Sequence, residues 1–232
     1  MPVPDYGSAR DVRIHGEVTP YTKIFNPQYV MDAQGKVLDP LEGKSYEAGL
    51  KGSLLDDQLS VSAALFKTDQ RNVAEATDQS LPGGETIYNG EDFKSRGAEL
   101  EASGQLAPGL QLQGGYTYVH IEDPDGHKAR QYVPRHSLRS SLTYQLPGLP
   151  QAKVGTRVSW QSAIQLDDDS RVRQNAYALV DLMGSYDINK HWSASLNLNN
   201  LTNRKYLMSL YSGGSGFYGA SRNVTASVSY NF

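Results

Sequence analysis

The chain contains no cysteine among its 232 residues, which excludes disulfides and thiolate metal sites. It has no apolar run long enough for a membrane helix, and its mean hydropathy is negative. Neither absence excludes a membrane barrel, because half of every barrel strand faces water. The net charge is only −3, so nucleic acid is not expected as a partner. The opening Met1-Pro2-Val3-Pro4-Asp5-Tyr6 has no basic stretch and no apolar one, and it does not read as a signal peptide. Tryptophan (2) and phenylalanine (5) are scarce, whereas tyrosine is abundant at 15. Tyrosine is amphipathic and suits both interfacial girdles and polar binding surfaces.

What is present is alternation. In Asn223-Val224-Thr225-Ala226-Ser227-Val228-Ser229-Tyr230-Asn231-Phe232, every even position from Val224 is apolar or aromatic and the odd ones are small and polar. Period two places these sets on opposite faces of a strand. The same pattern centres on residues 46–54, 59–66, 98–103, 110–118, 138–144, 152–160, 178–186 and 192–199. That gives nine strands, with Phe66 as an exception on the polar side. Glu99, Glu101, Arg139, Lys153, Arg157 and Asp181 fall mid-strand on the polar face. They suit a watery lumen or the solvent face of a soluble sheet equally well.

The connections discriminate better. Short ones near residues 55–57, 106–109, 147–150 and 188–190 alternate with long ones near 74–91, 123–134, 165–173 and 203–218. Tight turns on one side and long loops on the other is the membrane-barrel layout; soluble sandwiches show no such parity. The C-terminus then lies on the periplasmic side. A tenth strand at residues 17–25 is interrupted by Pro20, and its alternation fails. Single-chain bacterial barrels have even strand counts, and an open edge in lipid leaves backbone groups unpaired. The expected fold is therefore an all-β, antiparallel up-and-down transmembrane barrel, present as about nine to ten strands of a larger one. Two other readings stay open. One is a self-contained ten-stranded outer-membrane barrel, porin-like or a surface enzyme; the other is a soluble β-sandwich binding module.

Several segments carry a resemblance. Leu196-Asn197-Leu198-Asn199-Asn200-Leu201-Thr202-Asn203-Arg204-Lys205-Tyr206 resembles the next-to-last strand and following loop of TonB-dependent outer-membrane receptors, and residues 224–232 resemble their last strand. Ile24-Phe25-Asn26-Pro27-Gln28, Gly43-Lys44-Ser45-Tyr46-Glu47-Ala48-Gly49-Leu50-Lys51-Gly52, Ala64-Leu65-Phe66-Lys67 and Ser95-Arg96-Gly97-Ala98-Glu99-Leu100-Glu101 resemble the ferric-siderophore branch. The resemblance implies a barrel of about 22 strands around an N-terminal plug, with a TonB box coupling to the inner membrane. It implies a ferric siderophore as transported ligand, bound by long loops and upper lumen, and no cofactor. Outer-membrane lipid and the barrel-assembly machinery are the other implied partners, the latter reading a C-terminal signal at Tyr230 and Phe232. Residues 17–232 would be the C-terminal portion of such a barrel, with residues 1–16 unassigned. Plug, TonB box and signal peptide are not found in the sequence, so TonB is expected to act only through a missing N-terminal region. The family's strand and turn between "VTPY" (residues 18–21) and "IFNPQ" (residues 24–28) is also missing, which implies an internal deletion.

Candidate ligand-binding residues are Tyr88, Tyr132 and Arg135 at strand tops, and Tyr211, Phe217 and Tyr218 in the last long loop. Arginine pairs with an anionic chelate and aromatics stack on it; girdle and lumen lining would use the same residues. Gly214-Ser215-Gly216-Phe217-Tyr218-Gly219 fits G-x-G-x-x-G but precedes a strand where a helix is needed, so it reads as a flexible loop. Asp167-Asp168-Asp169-Ser170 and Asp123-Pro124-Asp125-Gly126 offer carboxylates without calcium-loop spacing and read as solvated tips. His120, His127 and His136 lie near one loop without a metal motif. No serine sits in a nucleophile elbow. Neither a metal site nor catalysis is expected.

Overall fold

A computed structural model describes residues 13–166, 172–211 and 215–232, without the side chains of residues 17–20 and 211. The described residues form strands and no helix: β1 (Arg13–Asn26), β2 (Leu41–Leu54), β3 (Leu59–Ser80), β4 (Thr86–Ala107), β5 (Leu110–Glu122), β6 (His136–Gln145), β7 (Ala152–Gln161), β8 (Ile164–Gln165), β9 (Arg173–Gln174), β10 (Tyr177–Asp187), β11 (Trp192–Asn199), β12 (Leu207–Tyr211), β13 (Ser215–Tyr218) and β14 (Asn223–Tyr230). Ten of them make one antiparallel meander in the order β1-β2-β3-β4-β5-β6-β7-β10-β11-β14. The ribbons β8–β9 and β12–β13 rise from two of its connections.

Register carries the alternation from strand to strand. Leu50, Ala63, Leu100, Tyr116, Leu138 and Trp160 stand opposite one another in one continuous row. One residue along, the row is Lys51, Ser62, Glu101, Gly115, Arg139 and Ser159. The sheet thus has one apolar and one polar face. The apolar face is covered by nothing in the chain: Leu65 is 66% exposed, Val228 66% and Leu196 54%. A sandwich would bury such a face against a second sheet. Here no large side chain is fully buried among the described residues. An uncovered apolar face of this extent needs lipid.

Aromatic residues gather at both margins of that face. Trp192 and Tyr230 pack with centroids 4.9 Å apart at the short-turn end. Tyr21 and Tyr46 (5.9 Å) and Tyr118 and His136 (5.0 Å) pack at the long-loop end. Two girdles flanking an apolar band are the arrangement of a membrane barrel. Among the described residues β1 and β14 have one neighbour each. Because open edges are not tolerated in lipid, these strands are a section of a larger barrel.

The structure corrects three expectations. Residues 17–25 do lie in a strand: β1 pairs with β2 along its length, and a register shift between Thr19 and Thr22 absorbs Pro20. The "VTPY" stretch and the Ile24-Phe25-Asn26 part of "IFNPQ" both fall within it. The long connection at 74–91 is mostly strand, since β3 and β4 pair up to Ser80 and Thr86. A register shift between Gln70 and Val73, with Asn72 at φ +56°, reverses the alternation there. The connection at 203–218 holds β12 and β13. Phe66 has a local reason. It stands opposite Gly97, whose missing side chain leaves room for the ring: a Cβ there would lie 2.7 Å from Phe66 Cε1.

Candidate functional site

The connections at 27–40, 81–85, 123–135, 162–176 and 200–222 all emerge at one end of the sheet, and the short turns at the other. Two buried or half-buried amides fix the long ones. The Gln28 side chain donates to the carbonyls of Asp39 (2.6 Å) and Asn72 (2.7 Å) and accepts from the Ala74 amide (3.2 Å). It pins the 27–40 connection onto the bulge of β3. Asn200 is 4% exposed and lies at φ +51°. Its side chain donates to the carbonyls of Arg204 and Ala220 and accepts from the Arg204 amide, while its own amide donates to Asp181 Oδ1 at 2.8 Å. This ties the last loop to β10 and to the entry of β14. Both residues lie within the segments that carry the resemblance.

The loop after β5 is held by Arg130. Its guanidinium donates twice to Glu75 Oε1, once from Nε at 2.9 Å, and lies 4.4 Å from the centroid of Phe93. Glu75 comes from the part of β3 that extends past the bulge, and Phe93 from β4 at the bulge itself, opposite Gln70. Tyr132 follows, 37% exposed. Burial raises its pKa above the ordinary phenol value, with Arg130 pulling it down and Glu75 pushing it up.

A cavity of about 220 Å³ opens beside this cluster, lined in part by His120, Lys128, Arg130, Arg135 and Arg173. Arg135 Nη2 lies 2.5 Å from His120 Nδ1, and His120 Nε2 lies 2.7 Å from Glu122 Oε1. Guanidinium only donates, so Nδ1 accepts from Arg135 and Nε2 is the ring nitrogen that faces Glu122. Glu122 also accepts from Arg96 at 2.9 Å. A pocket rich in fixed cations is suited to carboxylate or other anionic oxygens.

Of the sequence candidates, Arg135 lines this cavity, and Tyr132 lies on the same loop. Tyr88 is half-buried on β4, where its amide donates to Met31 O at 2.9 Å. Phe217 and Tyr218 sit on β13, 62% and 76% exposed. The side chain of Tyr211, Gly214 and the acidic run at 167–170 lie outside the described residues. The three histidines do not converge: His120 meets Arg135, His136 meets Tyr116 at 2.7 Å, and His127 meets Asp123 at 3.3 Å. Ligand atoms of Asp123, Asp125 and His127 lie within 4.8 Å of one another. Desolvation raises the Asp123 pKa, but the His127 amide, ring and charge and the Asp125 amide outweigh it, so the carboxyl is held below its ordinary value. Glu75 and Arg130 escaped sequence reading because both lie in what reads as loops, and Phe93 because it falls between the 74–91 connection and the strand pattern that starts at residue 98. Gln28 and Asn200 had a signal, the resemblance segments themselves.

Residues 16–201 match the family model described as TonB dependent receptor-like, beta-barrel. The ferric-pyoverdine BN7/BN8 receptor of Pseudomonas putida is 42% identical over 216 residues, covering 91% of this chain and 26% of that protein. The ferripyoverdine receptor of Pseudomonas aeruginosa is 36% identical, covering 99% of this chain and 30% of that protein. The crystal structure of the P. aeruginosa ferripyoverdine receptor bound to ferripyoverdine superimposes with a TM-score of 0.76 at 36% identity, over 91% of this chain and 30% of that one. The match falls on the C-terminal part of these barrels, and the chain spans under a third of the relatives' length.

Proposed function

The chain belongs to the TonB-dependent receptor family, and from that premise we propose that residues 17–232 form wall and outer loops of an outer-membrane receptor for a ferric siderophore of the pyoverdine class. The observation that carries this reading is the cation-lined cavity at the long-loop end, placed above a band that is apolar outside and polar inside. Its relatives are receptors for ferric pyoverdines. Arg130, Arg135 and Arg173 supply donors for the oxygens of an anionic chelate. Tyr88, Tyr132, Tyr211, Phe217 and Tyr218 are the aromatic candidates to stack on the ligand. The chemistry is binding and passage, with no bond made or broken and no cofactor.

Lipid contacts the outward face, and Tyr230 and Phe232 act as the signal to the barrel-assembly machinery. Coupling to TonB belongs to the plug and TonB box of a complete receptor. The strands described here do not close, so this chain alone neither transports nor forms a native pore. The test is a chimera in which these residues replace the matching part of the P. aeruginosa ferripyoverdine receptor. Uptake of ferric pyoverdines should be retained for at least one member of the class, and Arg135→Gln with Tyr132→Ala should weaken it. A correctly inserted chimera that binds none of them would contradict the assignment.

A further inference from the structure

The charged side chains beside the cavity form one connected row. Arg96 on β4 donates to Glu122 at 2.9 Å, Glu122 Oε1 lies 2.7 Å from His120 Nε2, and His120 Nδ1 accepts from Arg135 Nη2 at 2.5 Å. Register brings the four together. Arg96 stands opposite His120, and Lys94 opposite Glu122. The Val119 amide donates to Arg135 O at 2.9 Å, and Glu122 pairs with Lys128, so both ends of the 123–135 connection are drawn against β5. The row ends at the cavity wall, which His120 and Arg135 both line. The His120 side chain is only 13% exposed.

The row is arranged so that a proton and an anion can arrive together. As the side chains stand, Arg135 Nη2 is engaged with the ring. Nδ1 is the ring nitrogen with room for a further proton, and filling it ends that bond, because a guanidinium cannot accept. The groups facing the ring are mostly cations: Arg96 and Lys94 from β4, Lys128 and Arg135 from the connection, and Arg130 and Arg173 around the cavity. Arg130 is already held by Glu75. Below the ring, Tyr118 of β5 packs against His136 of β6. Among the described residues, Glu122 is the single carboxylate that bonds to the ring or lines the cavity. An anion in the cavity supplies a second negative charge, which offsets an added proton.

We propose that His120 is a further ligand-binding residue of this cavity, which takes up a proton as an anionic chelate enters and so hands Arg135 over to it, an inference that rests on the receptor reading above. The proton comes from solvent and lands on Nδ1. The Arg135–His120 bond is exchanged for a bond from Arg135 to a ligand oxygen, and the imidazolium adds one positive charge to the wall. Glu122 is the positioning residue: it holds Nε2 and leaves Nδ1 as the nitrogen that changes. Because the bound state carries the extra proton, affinity rises as the pH falls through the range in which histidine changes charge, about pH 8 to 5.

The test uses the chimera with the P. aeruginosa ferripyoverdine receptor in detergent micelles, titrated calorimetrically with a ferric pyoverdine in two buffers of different ionisation heat. The difference in heat counts the protons taken up. About half a proton is expected near neutral pH, with affinity rising about tenfold between about pH 8 and pH 6. His120→Asn, which keeps a side-chain acceptor beside Arg135 but cannot take a proton, should abolish both effects. Glu122→Gln should move the rise to lower pH by about one unit. His127→Asn, which removes an exposed histidine from the same connection, should change neither. The uptake by the unsubstituted chimera and the Glu122→Gln shift are read whether or not His120→Asn inserts. Binding without proton uptake, uptake that survives His120→Asn, or an unshifted rise in Glu122→Gln would each overturn the proposal and leave the receptor reading intact. An inserted chimera that binds no ferric pyoverdine would overturn the receptor reading, and this inference with it.

Discussion

Arg130→Met should loosen the loop that carries Tyr132 and Arg135. The guanidinium makes two charge-assisted hydrogen bonds to Glu75, with the two side chains 25% and 33% exposed. Bonds to a charged group are worth about 1.5–3 kcal/mol, and partial exposure reduces that to about 1–1.5 kcal/mol. The contact with Phe93 adds about 0.5–1 kcal/mol. The sum is about 2 kcal/mol of local stability, or about thirtyfold in the opening equilibrium. Hydrogen exchange reads it at the amides of Ala129 and Val133, which donate to Ile121 O (3.0 Å) and Arg130 O (2.9 Å). Both should exchange about thirtyfold faster, while amides of β11 should not change. In double-mutant cycles, Glu75→Gln should couple to Arg130→Met by about 1 kcal/mol and Phe93→Leu by about 0.5 kcal/mol. Unchanged exchange at Ala129 and Val133, or zero coupling to both partners, would refute the view that this cluster orders the loop.

Asn200→Ala should destabilise the chain by about 3–4 kcal/mol in urea unfolding, since three side-chain hydrogen bonds are lost from a buried site and alanine must adopt a left-handed backbone. A loss under about 1 kcal/mol would be at odds with that burial. Gly97→Ala should cost about 1–3 kcal/mol, because the added Cβ overlaps the Tyr118 carbonyl and the Phe66 ring. Gly115→Ala, whose Cβ would meet Leu100 O at 3.8 Å, should instead be neutral or stabilising by up to about 1 kcal/mol; equal effects of the two would contradict the register. The lowered pKa of Asp123 gives the β5–β6 turn a contribution that is full above the ordinary value of 3.8 and lost as the pH falls through the lower folded value. The stability difference between the chain and Asp123→Asn should therefore vanish on acidification below 3.8 and not on alkaline titration.

The sheet was largely legible because period two survives wherever one face meets lipid and the other water. It failed where the backbone breaks the period. Pro20 stopped the reading of β1, yet the shift between Thr19 and Thr22 absorbs it at an edge strand. The bulge at Asn72 hid the outer halves of β3 and β4, since one extra residue reverses every later side chain. The site was less legible. Tyr132 and Arg135 are visible as candidates beside a loop, but Glu75 lies 55 residues from Arg130 and meets it only through the long β3–β4 hairpin. Gln28 and Asn200 show what the resemblance segments do physically: each is an amide that ties a loop to the barrel rim.

The absence of cysteine allows the central claim, a wall with lipid on one face and water on the other, to be tested directly. Single cysteines would be placed along residues 194–199 and 224–229 in a membrane-inserted, otherwise cysteine-free chimera with the P. aeruginosa ferripyoverdine receptor and read with lipid-borne quenchers and a water-soluble thiol reagent. The account predicts strict alternation: positions 194, 196, 198, 224, 226 and 228 quenched from lipid, and 195, 197, 199, 225, 227 and 229 labelled from water. Equal labelling of both sets, or quenching of neither, would contradict it.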